Sequence, residues 1–212
     1  MKCMQEKVDV KKLKHDKMVK KLLYNVGIND YIGKVNINGK IEKFYKVWQS
    51  MLSRCYDPKY HNRNPAYIGC KVCKEWYSLT AFKKWFDKNY IEDYELDKDI
   101  LIEGNKLYSP DTCCFVPKEI NRLFENKPKR YDYNECLPTG VQFDTYRNKY
   151  VANVCIAGKK KHIGRFDTLD EAYVKYTLEK NKLIFELVER YYKNGKISKE
   201  IYNAIKRRLV MF

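Results

Sequence analysis

The sequence predicts an α+β protein whose first two thirds hold short strands and helices and whose last third holds a three-stranded sheet followed by a long helix. Three observations support this prediction. Apolar residues recur every three or four positions in several separate segments, as they do in amphipathic helices. Asn38-Gly39, the turn dipeptide of a tight hairpin, separates two short strand-like runs. Three strand patterns follow one another between residues 140 and 166, directly before a capped helical pattern.

The composition points to a polyanionic partner. The chain has 212 residues, with 43 Lys and Arg against 27 Asp and Glu, and its formal net charge is +16. A surplus of this size attracts polyanions, so nucleic acid is the first partner to consider. No apolar run reaches the roughly 18 residues that span a bilayer, and the N-terminal residues lack the pattern of a secretory signal. We therefore expect a cytoplasmic protein with no membrane partner, and its eight Cys as reduced, mostly buried thiols.

The first third is predicted to hold two aromatic-rich helices behind a basic arm. Residues 1–29 are Lys-rich and weakly periodic. After the hairpin, apolar residues spaced by three and four predict a helix over 42–56. Pro, Asn and Gly predict a loop over 57–69. Ser78 is the predicted N-cap of the second helix, which has Phe82, Trp85 and Phe86 on one side.

The middle of the chain is predicted to run strand, turn, strand, helix. Five acids lie within residues 92–99, with Lys98 as the one base among them. A strand is predicted through Leu96 to Ile102, a turn at Gly104-Asn105, a second strand over Cys113–Val116, and a helix carrying Ile120 and Leu123. These elements complete a predicted module over 30–126. Residues 127–137 break both periodicities and are predicted to be a linker.

The last third is predicted to be a sheet packed on a long helix, over residues 138–195. Strands are predicted at 140–144, 149–156 and 161–166. Thr168-x-x-Glu171 is a capping box that starts a helix reaching Asn194-Gly195. A final helix within 196–212 has Ser198 as its predicted cap.

One face of this predicted sheet is polar. Alternation buries Tyr150, Ala152, Val154 and Ile156 under the helix and turns the opposite side of the strand outward. A three-stranded sheet can lie in the major groove, where amide and cationic side chains pair with base edges and phosphates. The alternative is that these are ordinary solvated sheet residues. The candidate nucleic-acid-binding residues are Gln142, Asp144, Arg147, Lys149, Asn153, Cys155, Lys159, Lys160, Lys161 and His162.

Residues 138–184 resemble a known family. The similarity is carried by Gly140-Val141, Tyr150-Val151-Ala152, the run from Lys161-His162 through Ile163-Gly164-Arg165-Phe166-Asp167-Thr168, and Glu171-Ala172. This pattern resembles the AP2 DNA-binding domain. The resemblance implies a three-stranded antiparallel sheet on one helix that reads duplex DNA. By position, it implies Gln142, Asp144, Arg147, Asn153, Cys155, Lys160 and His162 as the readers.

Residues 44–124 resemble a second family. The similarity is carried by Tyr45 to Tyr56, Gly69 to Trp76, Phe82-x-x-Trp85, Leu96 to Leu101, Gly104 to Lys106, Tyr108 to Pro110, Phe115 to Pro117, and Ile120-Asn121. This pattern resembles the HNH-type (His-metal finger) proteins that phages carry beside AP2-like domains.

This second resemblance implies a divalent-metal nuclease site in a phage-infected bacterial host cell. Asp97 and Asn121 would be ligands of Mg²⁺ or Mn²⁺, and Asn105 would orient the site. Lys98 stands where the family has its catalytic His and would contact phosphate instead. A Lys must lose several pKa units to act as a base, and the acids around it oppose that loss.

Three questions stay open from the sequence. Cys70-x-x-Cys73 with Cys113-Cys114 and His61 admits a zinc site, but adjacent Cys side chains on a strand diverge, so buried free thiols are favoured. The function is either cleavage of DNA or binding without hydrolysis, as a regulator or as an inhibitor of a host nuclease or defence complex. The nucleic acid is duplex DNA or structured RNA, and a protein partner also fits.

Overall fold

The architecture is α+β, as predicted from the sequence. A computed structural model of the chain describes residues 22–124 and 137–210. Packing divides the chain into two units: the first runs to Asn89 and includes Lys106–Pro110, and the second holds Tyr90–Asn105 and the chain from Asp111 onward. Most of the predicted basic arm and of the predicted linker lies outside the described residues. No helix within the described ranges is long and apolar enough to cross a membrane.

The first unit begins with the predicted hairpin and helix. β1 (Asn36–Ile37) pairs antiparallel with β2 (Lys40–Ile41) across the Asn38-Gly39 turn. α1 (Lys43–Tyr56) follows, and its buried side carries the apolar residues spaced by three and four that predict it. Trp48 is fully buried, and its indole Nε1 donates to the carbonyl of Trp76 at 2.7 Å.

The prediction of a loop over 57–69 is wrong for residues 58–63. α2 (Pro58–Arg63) occupies this stretch, and a 3₁₀ turn follows at Pro65–Tyr67. Asp57 is the N-cap, and its carboxylate accepts from the backbone N–H of Lys59 at 2.9 Å. Proline is favoured in the first helical turn because its missing N–H has no partner there anyway, so Asp-Pro starts a helix here.

The rest of the first unit is a short parallel strand pair and a second long helix. β3 (Lys71–Val72) is followed by a 3₁₀ turn at Lys74–Tyr77 and by α3 (Leu79–Asn89). Ser78 Oγ accepts from the N–H of Ala81 at 3.1 Å, which confirms the predicted cap.

The second unit opens with a strand, loop, strand and helix, which we call the ββα element. Its first strand is β4 (Tyr94–Asp97). The next strand in the chain, β5 (Leu107–Tyr108), belongs to the first unit and pairs there with β3. β6 (Cys114–Pro117) pairs antiparallel with β4 and leads into α4 (Lys118–Asn121) and a 3₁₀ turn at Arg122–Phe124.

The first strand of this element is shorter than predicted, because it ends at Asp97 and not at Ile102. Asp97 Oδ1 accepts from the N–H groups of Asp99 and Ile100, at 2.8 and 2.6 Å. An Asp side chain that captures backbone N–H groups two and three residues ahead turns the chain and competes with a strand ladder.

The C-terminal sheet and its helix match the prediction closely. β7 (Val141–Asp144), β8 (Lys149–Ile156) and β9 (Lys159–Phe166) form an antiparallel sheet with β8 in the centre. α5 (Leu169–Lys193) and α6 (Lys199–Val210) follow. Their predicted caps are confirmed: Thr168 Oγ1 accepts from Glu171 N–H, and Ser198 Oγ accepts from Ile201 N–H, both at 3.2 Å.

α5 takes part in two apolar cores of the second unit. Ala172 and Tyr176, in its first half, pack with Ala152 and Val154 of the sheet. Its second half packs with α6 and with the ββα element. The buried members of that second core are Ile100, Val116, Ile120, Leu123, Ile184, Leu187, Val188, Ile197, Ile201 and Ile205. One helix therefore stabilises the sheet at one end and the ββα element at the other.

Candidate functional site

One side of the C-terminal sheet faces away from α5, and we call it the outer sheet face. Strand pairing places Val151 of the central strand between Gln142 and Arg165, Asn153 beside His162, and Cys155 beside Lys160. Paired residues of an antiparallel sheet project to the same side. The outer sheet face consists of Gln142, Asp144, Lys149, Val151, Asn153, Cys155, Lys160, His162 and Arg165.

Arg165 belongs to this face although strict alternation from His162 would turn it inward. The pairing of β8 with β9 shifts register between Ala152 and Asn153, so that Asn153 pairs with His162 but Ala152 pairs with Gly164. Such a bulge inserts one extra residue and reverses the side on which later side chains project. Gly164 at the irregularity is the one sequence signal that could have suggested it.

Lys160 and Lys161 are neighbours that lie on opposite sides of the sheet. Lys160 pairs with Cys155 on the outer sheet face, and Lys161 pairs with Val154 on the helix side. The Lys161 ammonium forms an ion pair with Glu179 of α5, whereas none of the ion pairs among the described residues involves Lys160. Lys159 pairs with Ile156, also on the helix side. Eight of the ten predicted binding residues therefore gather on the outer sheet face or its adjoining turn, and two do not.

Asp144 lies between two guanidinium groups at one end of this face. Its Oδ2 is 3.2 Å from Arg147 Nη1, in the β7–β8 turn, and 3.8 Å from Arg165 Nε. The N–H of Arg147 and then its guanidinium lower the pKa of Asp144, so this carboxylate is ionised at neutral pH. Lys149 is paired in the same way with Asp167. These exposed ion pairs are weak and easily exchanged for contacts with phosphate.

Asn153 and His162 form a polar pair in the middle of the outer sheet face. His162 Nδ1 donates to Asn153 Oδ1 at 3.2 Å. This bond holds the Asn153 amide in place on the outer sheet face. An Asn side chain oriented in this way can pair with the edge of an adenine in the major groove.

Asp97 is the predicted metal ligand at the end of β4. Its Oδ1 is held by the two backbone N–H groups described above. Burial and the nearby charge of Asp99 nevertheless raise the pKa of Asp97 to about 6. Burial and Asp99 therefore disfavour the ionised form of this carboxylate, and a nearby cation would stabilise that form.

Lys98 and Asn105 are the predicted phosphate contact and orienting residue. Lys98 is only 8% exposed, and its Nζ donates to Asp99 Oδ2 and to the carbonyl of Asn105, both at 2.8 Å. The amide of Asn105 donates in turn to the carbonyl of Lys98 at 2.6 Å. Both side chains close the loop that follows β4, so the ammonium is engaged inside the protein.

Asn121, the other predicted ligand, contacts a residue that the sequence analysis does not name. Its Nδ2 donates to Glu95 Oε2 at 2.8 Å. Glu95 and Asp97 are two residues apart on β4, so their side chains project to the same side of the strand. The sequence feature that could have identified Glu95 as a site residue is its position two residues before Asp97 in the acidic stretch. Within residues 22–124 and 137–210, no three His, Cys, Asp or Glu side chains are grouped so that they could hold a metal ion.

The thiols and His61 that suggest zinc are distributed over both units. Cys70, Cys73 and His61 belong to the first unit, whereas Cys113 and Cys114 belong to the second. His61 Nε2 donates to the carbonyl of Arg54 at 2.9 Å. Cys55, Cys70 and Cys113 are buried, and burial raises the pKa of the Cys114 thiol. Cys3 and Cys136 lie outside the described residues.

Comparison with protein-family models, curated proteins and solved structures finds no match for this chain. What the protein does is therefore inferred from its own residues. The described residues present two candidate sites, the outer sheet face and the acidic end of the ββα element.

Proposed function

We propose that this protein binds nucleic acid, and duplex DNA in particular, through the outer sheet face. A single observation carries the proposal: a polar, cationic sheet face lies exposed on the side away from α5. Lys160, His162 and Gln142 are exposed there, and Asn153 is half-buried between its neighbours. An AP2-like mode of binding, with the sheet in the major groove, is the expected geometry.

The dimensions of the sheet suit this mode. Neighbouring strands lie about 4.8 Å apart, so the backbones of three strands span roughly 10 Å. The major groove of B-form DNA is about 12 Å wide and admits an element of this size. In A-form RNA the major groove is too narrow for side chains to read, so duplex DNA is favoured over duplex RNA.

The charge of the sheet supports the same partner. Residues 137–167 contain six Lys and Arg, against Asp144 and Asp167 as the only acids. Cationic side chains that neutralise phosphates release condensed counterions, which supplies most of the sequence-independent affinity. Asn153 and Gln142 would then add base contacts to this electrostatic term.

The test is a fluorescence-anisotropy titration of the full chain against random-sequence duplex DNA, single-stranded DNA and duplex RNA at several salt concentrations. We expect the duplex DNA to bind most tightly, with log K falling linearly as log salt rises. The proposal is contradicted if the protein binds a neutral polymer as tightly as it binds duplex DNA. It is also contradicted if no binding to any nucleic acid is detected at low salt.

Cleavage of DNA at the ββα element is a second candidate function, in line with the HNH resemblance. The observation that favours it is the hydrogen bond between Asn121 and Glu95, with Asp97 two residues further along the same side of β4. Their oxygens fit Mg²⁺ or Mn²⁺, both of which prefer carboxylate and carbonyl ligands. Such a cation would neutralise charge at the scissile phosphate.

This candidate is tested with supercoiled plasmid and Mg²⁺ or Mn²⁺. Nicking by the wild type that is lost in Asp97→Ala and Asn121→Ala supports cleavage at the ββα element. Nicking that survives both substitutions excludes this site. An absence of nicking with either metal leaves binding without hydrolysis, in which the protein would act as a regulator or as an inhibitor of a host nuclease complex.

A further inference from the structure

Arg54 of α1 lies in a box of tyrosines in the first unit. Its guanidinium lies 5.7 Å from the centre of the Tyr67 ring and is hydrogen-bonded to the hydroxyl of Tyr108. The rings of Tyr60 and Tyr67 meet edge to face, with their centres 5.5 Å apart. We call these four residues the Arg54 box.

The charge of Arg54 has no counter-ion in the part of the chain that the structure describes. None of the ion pairs among residues 22–124 and 137–210 involves Arg54. Its Nε is fully buried and has no hydrogen-bond partner. Arg54 as a whole is half-buried. A guanidinium that has lost part of its hydration and has no carboxylate beside it is stabilised by an anion that reaches it.

The surroundings of the Arg54 box are basic. α2 carries Lys59 and Arg63, both exposed, and His61 of the same helix bonds to the Arg54 carbonyl. Lys106 donates to the carbonyl of Ala66, next to Tyr67. The nearest acid in sequence, Asp57, is used as the cap of α2. An anion would therefore be attracted to this surface.

We propose that the Arg54 box binds a backbone phosphate of the nucleic acid, as a second contact in the first unit. The proposal rests on the binding function proposed above for the outer sheet face. A phosphate oxygen would pair with the guanidinium in the forked geometry that Arg offers and Lys does not. The tyrosines around it supply hydroxyl groups and ring faces that suit the sugar-phosphate backbone.

The experiment compares the wild type with Arg54→Gln, Arg54→Lys and Lys84→Gln in duplex binding over a range of salt. Lys84 is an exposed cation of the first unit with no ion pair among the described residues, so its variant is the control for loss of one charge. We expect Arg54→Gln to weaken binding about tenfold and to lower the salt slope by about one. Arg54→Lys folds, keeps the slope and loses affinity about threefold, and Lys84→Gln stays within about twofold of the wild type.

Three other results would contradict binding of a backbone phosphate by the Arg54 box, and each has a different meaning. If Arg54→Lys binds the duplex as tightly as the wild type, the forked phosphate contact is absent, even where Arg54→Gln fails to fold. In a second arm, thermal unfolding is followed with inorganic phosphate against chloride at equal ionic strength. If phosphate stabilises the wild type but not Arg54→Gln, and the two proteins bind the duplex equally well, the site binds a free phosphate compound and not the nucleic acid. Loss of duplex binding in Arg147→Ala but not in Arg54→Gln leaves the outer sheet face as the binding surface and removes the Arg54 box.

Discussion

Lys98 and Asn105 bond to each other twice across the loop that follows β4. Lys98 Nζ donates to the carbonyl of Asn105, and the Asn105 amide donates to the carbonyl of Lys98. A charged donor and a side-chain amide thus fix the same loop from its two ends. Lys98, which the HNH resemblance would set at the position of the catalytic His, is thus a residue that stabilises the loop.

Replacing Lys98 should therefore lower stability more than it lowers DNA binding. We expect Lys98→Met to reduce the free energy of unfolding by about 1–3 kcal/mol, because it removes the hydrogen bonds that Lys98 Nζ donates to the carbonyl of Asn105 and to the carboxylate of Asp99. The measurement is chemical unfolding, with exposed Lys88→Met as the control. The salt slope of duplex binding should not change, and a slope lowered by about one would instead place Lys98 on a phosphate, as the HNH resemblance implies.

The raised pKa of Asp97 predicts a pH-dependent stability. The folded protein holds this proton up to about pH 6, whereas a free Asp loses it near 3.8, so protonation favours folding. This contribution is present below about pH 4 and is lost as the pH rises through 6. Asp97→Asn keeps the acceptor for the N–H groups of Asp99 and Ile100, and we expect it to be more stable than the wild type at pH 7, by on the order of 2 kcal/mol.

Thermal unfolding of the wild type and of Asp97→Asn between pH 4 and pH 7.5 checks this predicted pH dependence of stability. The difference in unfolding free energy should shrink toward zero at the acidic end. A difference that is constant over the whole range would mean that burial does not destabilise the Asp97 carboxylate.

Asn153 should contribute sequence preference without contributing charge. We expect Asn153→Ala to bind a pool of random duplexes with an unchanged salt slope but to select a more degenerate sequence, because one base contact is lost. Sequencing the duplexes selected by each protein gives the comparison. His162→Gln, which still offers Asn153 a donor, should preserve more of the preference, and identical selected sequences for Asn153→Ala and wild type would remove Asn153 from the readers.

Gly140 should be required where β7 begins. Its φ is +89°, and a Cβ there would lie 2.0 Å from the Tyr176 ring, whereas Gly158 has φ +77° and no atom within 4 Å of such a Cβ. Both Ala variants carry the penalty of the left-handed region, about 1–3 kcal/mol, and only Gly140→Ala adds a collision with α5. Gly140→Ala should thus melt well below Gly158→Ala, and equal melting temperatures would show that Tyr176 moves aside freely.

Local patterns predict the elements that depend on local physics. The Asn38-Gly39 hairpin and the caps at Ser78, Thr168 and Ser198 follow from turn and capping chemistry within a few residues, and all are present. α2 is the exception, because Asp57-Pro58 can begin a helix as well as a loop, and the local pattern does not decide between them.

Features that depend on pairing over long distances in sequence are not predicted. β3 and β5 pair in parallel although some 35 residues separate them, and neither is long enough to show a period of two. The bulge that brings Arg165 to the outer sheet face depends on register, which alternation within one strand does not contain. The periodicity of α5 shows that it has an apolar face, but not that its two halves belong to different cores.

Lys160 and Lys161 offer the most direct test of binding through the outer sheet face. They are adjacent on β9 and carry the same charge, but only Lys160 lies on that face. We expect Lys160→Ala to weaken duplex binding and to lower the slope of log K against log salt by about one, and Lys161→Ala to leave the slope unchanged. Equal slopes for the two variants, or a larger change for Lys161→Ala, would contradict binding through this face.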